Sequence, residues 1–89
     1  MLTSDQVVKE AQDWLNDNNP GDGNYRWEAR YAQDEDTLVI WGFRLSDDTR
    51  CYDDAPLSEV DTRVPRWHLY ADMARAVMNK IEDSDRQTR

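Results

Sequence analysis

The chain has 89 residues, with 19 acidic and 11 basic side chains and a formal net charge of -8. This length predicts a single domain over residues 1–89, and the single cysteine, Cys51, excludes an intramolecular disulfide. The N-terminus does not read as a signal peptide, and no apolar run reaches the roughly 20 residues of a membrane span, so we expect a soluble, cytoplasmic protein with no membrane partner.

The first predicted element is a helix that begins near Thr3. Apolar residues recur at helical spacing from Val7 to Leu15. Thr3 and Gln6 fit a capping box, and Leu2 and Val7 fit the hydrophobic staple that accompanies such a box. The segment NDNNPGDGN ends the helix, because Asn, Pro and Gly all disfavour its continuation.

Three strands are predicted next. In YRWEARY, apolar and charged residues alternate, which is the period of a half-buried strand. After the turn QDED, the run TLVIWGFRL reads as the central strand, and we assign its face with Trp41 and Phe43 to the core. A second turn, SDD, leads to the short third strand TRCY. Because these connections are short, the strands should form an antiparallel meander.

The C-terminal third predicts a loop and then a helix. DDAPLSEVDTRV reads as a loop with room for one helical turn, and Pro65 suits the first turn of the helix that follows. An apolar stripe runs from Trp67 to Ile81, whereas the polar residues 83–89 should form a loose tail after an ordered core of about residues 3–82. The predicted fold class is α+β, with an N-terminal helix, a three-stranded antiparallel meander sheet and a C-terminal helix, both helices packing on one face.

Signals for catalysis or metal binding are weak. The pairs Asp47-Asp48 and Asp53-Asp54 flank an extended segment, so they should lie roughly 17–20 Å apart, too far for one calcium ion. His68 is the only histidine. The sequence has no nucleotide-binding glycine loop, nucleophile elbow or zinc-ligand spacing. We therefore expect a protein that is not an enzyme and has no cofactor or metal.

Acidic residues are concentrated in the first two thirds of the chain. Residues 1–61 carry fifteen acids against five bases, whereas residues 62–89 carry four acids against six bases. Such a field repels nucleic acid and attracts basic protein surfaces, so we expect no direct nucleic-acid binding. The candidate partner-binding residues lie on the first helix, in the two turns and after the third strand: Glu10, Asp13, Asp17, Asp34, Glu35, Asp36, Asp47, Asp48, Asp53 and Asp54.

Three explanations of this acidity stay open. Aspartate is a common turn residue, so the clusters can be solvated turns without a partner. The chain also has two lysines against nine arginines, and an acidic, lysine-poor surface is typical of high-salt adaptation. The third explanation is that the carboxylates form an interface with the basic surface of a nucleic-acid-handling protein.

In size, net charge and layout, the chain resembles the small acidic inhibitors that phages encode, such as anti-CRISPR proteins. The resemblance spans most of the chain's layout and implies a DNA mimic, with carboxylates in place of phosphates, that occupies a basic surface of a host protein. The alternative is a small accessory module that binds proteins, or a second copy of itself, through aromatic anchors. The candidate anchors are Tyr25, Trp27, Tyr31 and Tyr52.

Overall fold

The computed structural model describes residues 3–87, with side chains described from Thr3 to Asp85. Its elements are helix α1 (Ser4–Asn18), strands β1 (Tyr25–Ala32), β2 (Thr37–Arg44) and β3 (Arg50–Pro56), and helices α2 (Leu57–Thr62) and α3 (Trp67–Gln87). A short 3-10 turn, Gln33–Glu35, joins the first two strands. The strands pair as one antiparallel sheet in the order β1-β2-β3, which confirms the predicted α+β fold. Within residues 3–87, no helix combines the length and apolar character needed to cross a membrane.

Helix α1 begins at the capping box that the sequence predicts. The Gln6 N–H donates to Thr3 Oγ1 at 3.2 Å, and the Thr3 N–H donates to Gln6 Oε1 at 3.0 Å. The predicted staple of Leu2 with Val7 involves a residue, Leu2, that lies outside the described residues. The helix ends at Asn19, whose φ of 47° is left-handed, a conformation that asparagine tolerates better than most residues.

The core lies between one face of the sheet and the helices. Leu38 and Ile40 of β2 are fully buried there, and Ala29 of β1 and Ala55 of β3 lie on the same face. The helices complete the core with Val7, Ala11, Leu15, Val60, Leu69, Tyr70, Met73, Ala74, Val77 and Ile81. The prediction that the N-terminal and C-terminal helices pack on one face is confirmed.

The predicted assignment of the two faces of β2 is wrong. Trp41 and Phe43 are half-buried and lie on the face away from the core. The core face instead carries Gly42, where an added Cβ would lie 2.6 Å from Val77 Cγ1 and 2.9 Å from Trp27 Cζ3. Helix α3 packs so closely on β2 that only glycine fits at this position. The large aromatic side chains are therefore left on the other face.

Strand β3 is longer than predicted. It continues through Asp53 and Asp54 to Pro56, because Thr37 and the residues after it in β2 pair with every one of these positions. Residues 57–62, which were assigned to a loop with room for one helical turn, form α2. The aspartate pair that was expected after the strand is therefore part of the strand.

Helix α3 extends to Gln87, so residues 83–87 are helical rather than part of a loose tail. The guanidinium of Arg44 donates to the two carboxylate oxygens of Asp85 at 2.6 and 2.8 Å. This bidentate pair holds the last turns of the helix against the end of β2. At the other end, α3 begins at Trp67, so Pro65 precedes the helix and does not occupy its first turn.

Candidate functional site

On the face of the sheet opposite the helices, the row Ala32–Thr37–Pro56 adjoins the first turn, and the surface beyond it has three side chains from each strand. We call this surface the open face: Arg26, Glu28 and Arg30 from β1, Val39, Trp41 and Phe43 from β2, and Arg50, Tyr52 and Asp54 from β3. The strand register aligns them in three rows, Arg26–Phe43–Arg50, Glu28–Trp41–Tyr52 and Arg30–Val39–Asp54. Arg26, Arg50 and Tyr52 are exposed to solvent, so the described helices leave this face uncovered.

Three aromatic rings form a band on the open face. The ring centroid of Trp41 lies 6.2 Å from that of Phe43 and 4.9 Å from that of Tyr52. Tyr52 is 48% exposed, and the other two side chains are half-buried. Aromatic side chains expose large apolar areas, and a partner that removed them from water would gain free energy in proportion to that area.

Two arginines flank the Phe43 ring, one from each neighbouring strand. The guanidinium carbon of Arg26 is 4.3 Å from the ring centroid, and that of Arg50 is 5.7 Å from it. Neither guanidinium has a carboxylate within 4.0 Å among the side chains that the structure describes. Arg30 differs, since it pairs with Glu28 at 2.8 Å. The open face thus combines aromatic rings with cations whose hydrogen-bond donors are available.

At each edge of the sheet, one side chain is hydrogen-bonded to backbone groups. On β1, Gln12 Nε2 donates to the Trp27 carbonyl at 3.2 Å, and Gln12 Oε1 accepts from the Ala29 N–H at 2.8 Å. On β3, Lys80 Nζ donates to the Tyr52 carbonyl at 2.8 Å. These bonds occupy backbone groups that an added strand would need. The open face is therefore better placed than either edge to meet a partner.

Two of the three acids in the predicted stripe on α1, Glu10 and Asp13, are paired, whereas Asp17 is exposed without a partner among the described residues. Both carboxylate oxygens of Glu10 accept hydrogen bonds from Arg66 at 2.7 Å, and one of them also accepts from the Tyr70 hydroxyl at 2.8 Å. Arg66 holds the pKa of Glu10 below its ordinary value, and burial raises the pKa of Tyr70. Glu10 joins α1 to α3 and is part of the scaffold, whereas Asp13 pairs with Lys9 at 3.0 Å.

This network predicts a dependence of stability on pH. Since the pKa of Glu10 is lower in the folded state, its contribution is complete above the unfolded pKa of about 4.3 and is lost as pH falls through the folded value. We expect Glu10→Gln to cost about 1 kcal/mol at neutral pH, because solvent reaches this ion pair, and to flatten the acid limb of the stability curve. Urea denaturation over a pH series measures the free energy of unfolding of each protein and its dependence on pH. If this free energy fell in parallel for wild type and variant as the pH was lowered, the prediction would be wrong.

The turn aspartates suit the backbone positions that they occupy. Asp36 and Asp48 have φ of 51° and 59°, the left-handed region in which aspartate is enriched. Asp47 pairs with Arg44 at 2.6 Å, and this arginine holds the pKa of Asp47 far below its ordinary value. Asp36 accepts a hydrogen bond from the Tyr31 hydroxyl. Two further acids of the first turn are exposed, Asp34 and Glu35.

Asp53 and Asp54 point to opposite faces of the sheet, because successive strand residues alternate. Asp53 is half-buried on the helix side and lies 3.4 Å from Lys80 Nζ, whereas Asp54 is on the open face. Asp53 and Asp54 therefore do not form one acidic cluster after the strand. The end of β3 does reach the first turn, where the Leu57 N–H donates to the Asp36 carbonyl at 3.0 Å.

Cys51 and His68 lie away from the open face. Among the described residues, no group of three or more His, Cys, Asp and Glu side chains has a geometry that could hold a metal ion. Cys51 is half-buried against the core. His68 is exposed on α3 and packs edge-on against Trp67, with ring centroids 4.0 Å apart.

The arginines of the open face are not among the predicted site residues, although the sequence contains a signal for them. The connection between β1 and β2 is tight, so Ala32 pairs with Thr37. That register brings Arg26 opposite Phe43 and therefore puts the charged face of β1 beside the aromatic residues of β2. The burial of Trp27 and Ala29 on the other side of β1 then requires the aromatic face of β2 to lie away from the core.

Comparison of the chain with protein-family models, with curated proteins and with solved structures finds no match.

Proposed function

We propose that the protein is a non-enzymatic binding module whose open face docks on a protein partner. The observation that carries this proposal is the band formed by Phe43, Trp41 and Tyr52 on a sheet face that no described helix covers. Tryptophan, tyrosine and arginine are enriched among the residues that dominate binding energy at protein interfaces. The open face presents all three side-chain types within three adjacent rows.

A rigid sheet supports this function better than a loop would. The backbone of β2 is paired on both sides, so Trp41 and Phe43 keep fixed positions before a partner arrives. The ring of Trp41 is also restrained by its contact with Tyr52. Because little side-chain and backbone freedom remains to be lost on association, more of the gain from burying the rings appears as affinity.

A second copy of the chain is a poorer occupant of the open face. Face-to-face dimers need a twofold axis in the plane of the interface. An axis along the strands would bring Arg26 of one copy against Arg50 of the other, and an axis across the strands would bring Arg26 against Arg30. Each arrangement opposes like charges, although the first also brings Arg30 against Asp54 and the second brings Arg50 against Asp54. The net charge of -8 on each copy adds long-range repulsion between two copies. We therefore propose a partner of different sequence.

We expect a photo-cross-linking amino acid at position 52 to capture a protein partner, and we expect the same amino acid at position 67 to capture none. Trp67 is the matched control, since it is 49% exposed against 48% for Tyr52 and lies on α3. We expect Tyr52→Ser to weaken binding of the captured partner by about 2 kcal/mol or more, the range of interface hot spots, and Trp67→Ser to leave it unchanged. Calorimetric titration with the purified partner measures both effects.

Two results would contradict the proposal. One is capture through position 67 alone, and the other is equal capture through positions 52 and 67. Since Tyr52 is exposed and lies outside the core, its replacement should preserve the fold. The thermal midpoint of each variant checks this directly.

A second candidate function is the acidic inhibitor that the chain's charge and layout resemble. It is favoured by exposed carboxylates without a hydrogen bond or ion pair among the described residues, namely Asp17, Asp34, Glu35 and Asp48. Such groups could face the basic nucleic-acid channel of a host protein, with binding that weakens steeply as salt is added. The double variant Asp34→Lys/Glu35→Lys tests it, because neither side chain supports the fold. Binding unaffected by this reversal would exclude the first turn from the interface.

A further inference from the structure

We infer that the open face binds an acidic polypeptide segment, with a carboxylate held by Arg26 and Arg50 and an apolar side chain on Trp41 and Tyr52. This inference rests on the proposed function and goes further by giving the chemistry of the partner. It also reverses the expectation from net charge, under which an acidic protein binds a basic surface. The local charge of the open face decides the question, and it differs from the charge of the whole chain.

The first support is the pairing of the arginines. In a chain with 19 acids and 11 bases, an arginine readily finds a carboxylate of its own. Arg44, Arg63 and Arg66 each pair with carboxylates at 2.6 to 2.9 Å. Arg26 and Arg50 have none within 4.0 Å among the described side chains. The fold therefore leaves two arginines unpaired on the open face, as it leaves the exposed Arg75 on α3, whereas it neutralises Arg44, Arg63 and Arg66.

The second support is the way in which these two side chains are held. Arg26 and Arg50 lie 4.3 and 5.7 Å from the centre of the same Phe43 ring. A guanidinium over an aromatic ring is attracted by the ring quadrupole, and it keeps its in-plane N–H donors free. Those donors match the two oxygens of a carboxylate in a bidentate pair. The ring thus orders the guanidiniums before an anion binds, which reduces the entropy cost.

The third support concerns the class of the partner. A nucleic acid also has anions and flat groups that stack on aromatic rings, but its backbone has a charge at every phosphate. Glu28 and Asp54 on the open face and the net charge of -8 would repel such a chain. A polypeptide carries isolated carboxylates among apolar and basic side chains. It can therefore satisfy Arg26 and Arg50 while placing a basic or neutral group near Asp54.

The geometry of the edges supports side-chain recognition instead of strand addition. Gln12 occupies the edge of β1 and Lys80 occupies the edge of β3 through hydrogen bonds to backbone groups. A partner segment that lies across the open face needs neither edge. We expect it to contact the aromatic band with an apolar or aromatic side chain and to place an aspartate or glutamate near the Phe43 ring.

Selection from a displayed library of random peptides tests the inference, with immobilised wild-type protein as the bait. We expect the selected peptides to be enriched in Asp or Glu near an aromatic or aliphatic residue. Their affinity should fall about ten-fold in Arg26→Gln and in Arg50→Gln, because each change removes a charge-assisted hydrogen bond. Arg75→Gln is the matched control, since Arg75 is exposed on α3 without a carboxylate partner among the described side chains, and it should bind as wild type does.

The outcomes separate the inference from the proposed function. The inference would be overturned if the selected peptides had no enrichment in acids and bound Arg26→Gln and Arg50→Gln as tightly as wild type. If those peptides still failed to bind Tyr52→Ser, the proposed function would stand. Peptides that bind Tyr52→Ser and wild type equally would overturn the proposed function as well. A thymidine oligonucleotide is titrated in parallel, with the intrinsic tryptophan fluorescence of the protein as the signal. The inference would also be overturned if no acidic peptide were selected and the oligonucleotide bound wild type more tightly than Arg26→Gln and Arg50→Gln. That result would assign the open face to nucleic acid.

Discussion

Replacing Gly42 by alanine should destabilise the fold by about 1–3 kcal/mol, the usual cost of overpacking a filled core. The new methyl group would lie 2.6 Å from Val77 Cγ1 and 2.9 Å from Trp27 Cζ3. Val77 is fully buried and Trp27 is 8% exposed, so neither side chain can move into solvent. Alanine in place of glycine also restricts the unfolded chain, but that gain is only about 0.4–1 kcal/mol. The clash therefore decides the sign of the effect.

A double-mutant cycle isolates this clash from other effects of the substitution. Val77→Ala removes the nearest obstructing methyl group, so Gly42→Ala should cost less in the Val77→Ala background than in wild type. The free energies of unfolding come from urea denaturation of the four proteins. If the two substitutions were simply additive, close packing of α3 on β2 would not be the reason for the glycine.

Ile40→Ala should cost about 2–5 kcal/mol, the range for truncating a buried isoleucine. Ile40 is fully buried and faces the helices, and its neighbours across the sheet are Ala29 and Asp53. The substitution leaves a cavity under α3 that the paired strands cannot close by moving. Binding through the open face should be unchanged at temperatures at which the variant remains folded, since Ile40 does not reach that surface.

Val39→Ala is the matched comparison for Ile40→Ala, because Val39 precedes it in β2 and points to the open face. Val39 is half-buried, so its truncation should cost about 1 kcal/mol or less. Urea denaturation of the two variants under the same conditions shows which substitution lowers the free energy of unfolding more. If Val39→Ala lost more free energy of unfolding than Ile40→Ala, the result would favour the sequence-based prediction that the face of β2 with Trp41 and Phe43 lies in the core.

Local patterns in the sequence predicted most of the fold correctly. The capping box of Thr3 and Gln6, the alternation of YRWEARY and the short turns each depend on neighbouring residues, and all appear where expected. The buried stripe of α3 was predicted from Tyr70 to Ile81, because helical periodicity shows which residues share a face. Its start was not, since Trp67 is 49% exposed, whereas Leu69 and Met73 are buried. The end of α3 was not, since it depends on a long-range pair, Arg44 with Asp85.

The candidate site was less predictable, because alternation along a strand does not say which face is buried. Both faces of β2 carry apolar residues, and the larger ones, Trp41 and Phe43, favoured the wrong choice. A count of charges in the sequence also could not show which carboxylates are available to a partner, since it does not reveal which of them form ion pairs in the fold. Glu10 and Asp53 look like surface acids in sequence, but they are bound by Arg66 and Lys80 across the fold.

The sequence by itself determined the two long helices apart from the end of α3, the meander of strands, the turn positions and the acidic balance, since each follows from the types and spacing of nearby residues. Only the tertiary structure decided which face of the sheet the helices cover and which charges are neutralised. The physical reason is steric and electrostatic. Helix α3 packs against the one position of β2 without a side chain, Gly42, and ion pairs form between residues that the chain brings together only when folded. The aromatic band and its two unpaired arginines are exposed as a result.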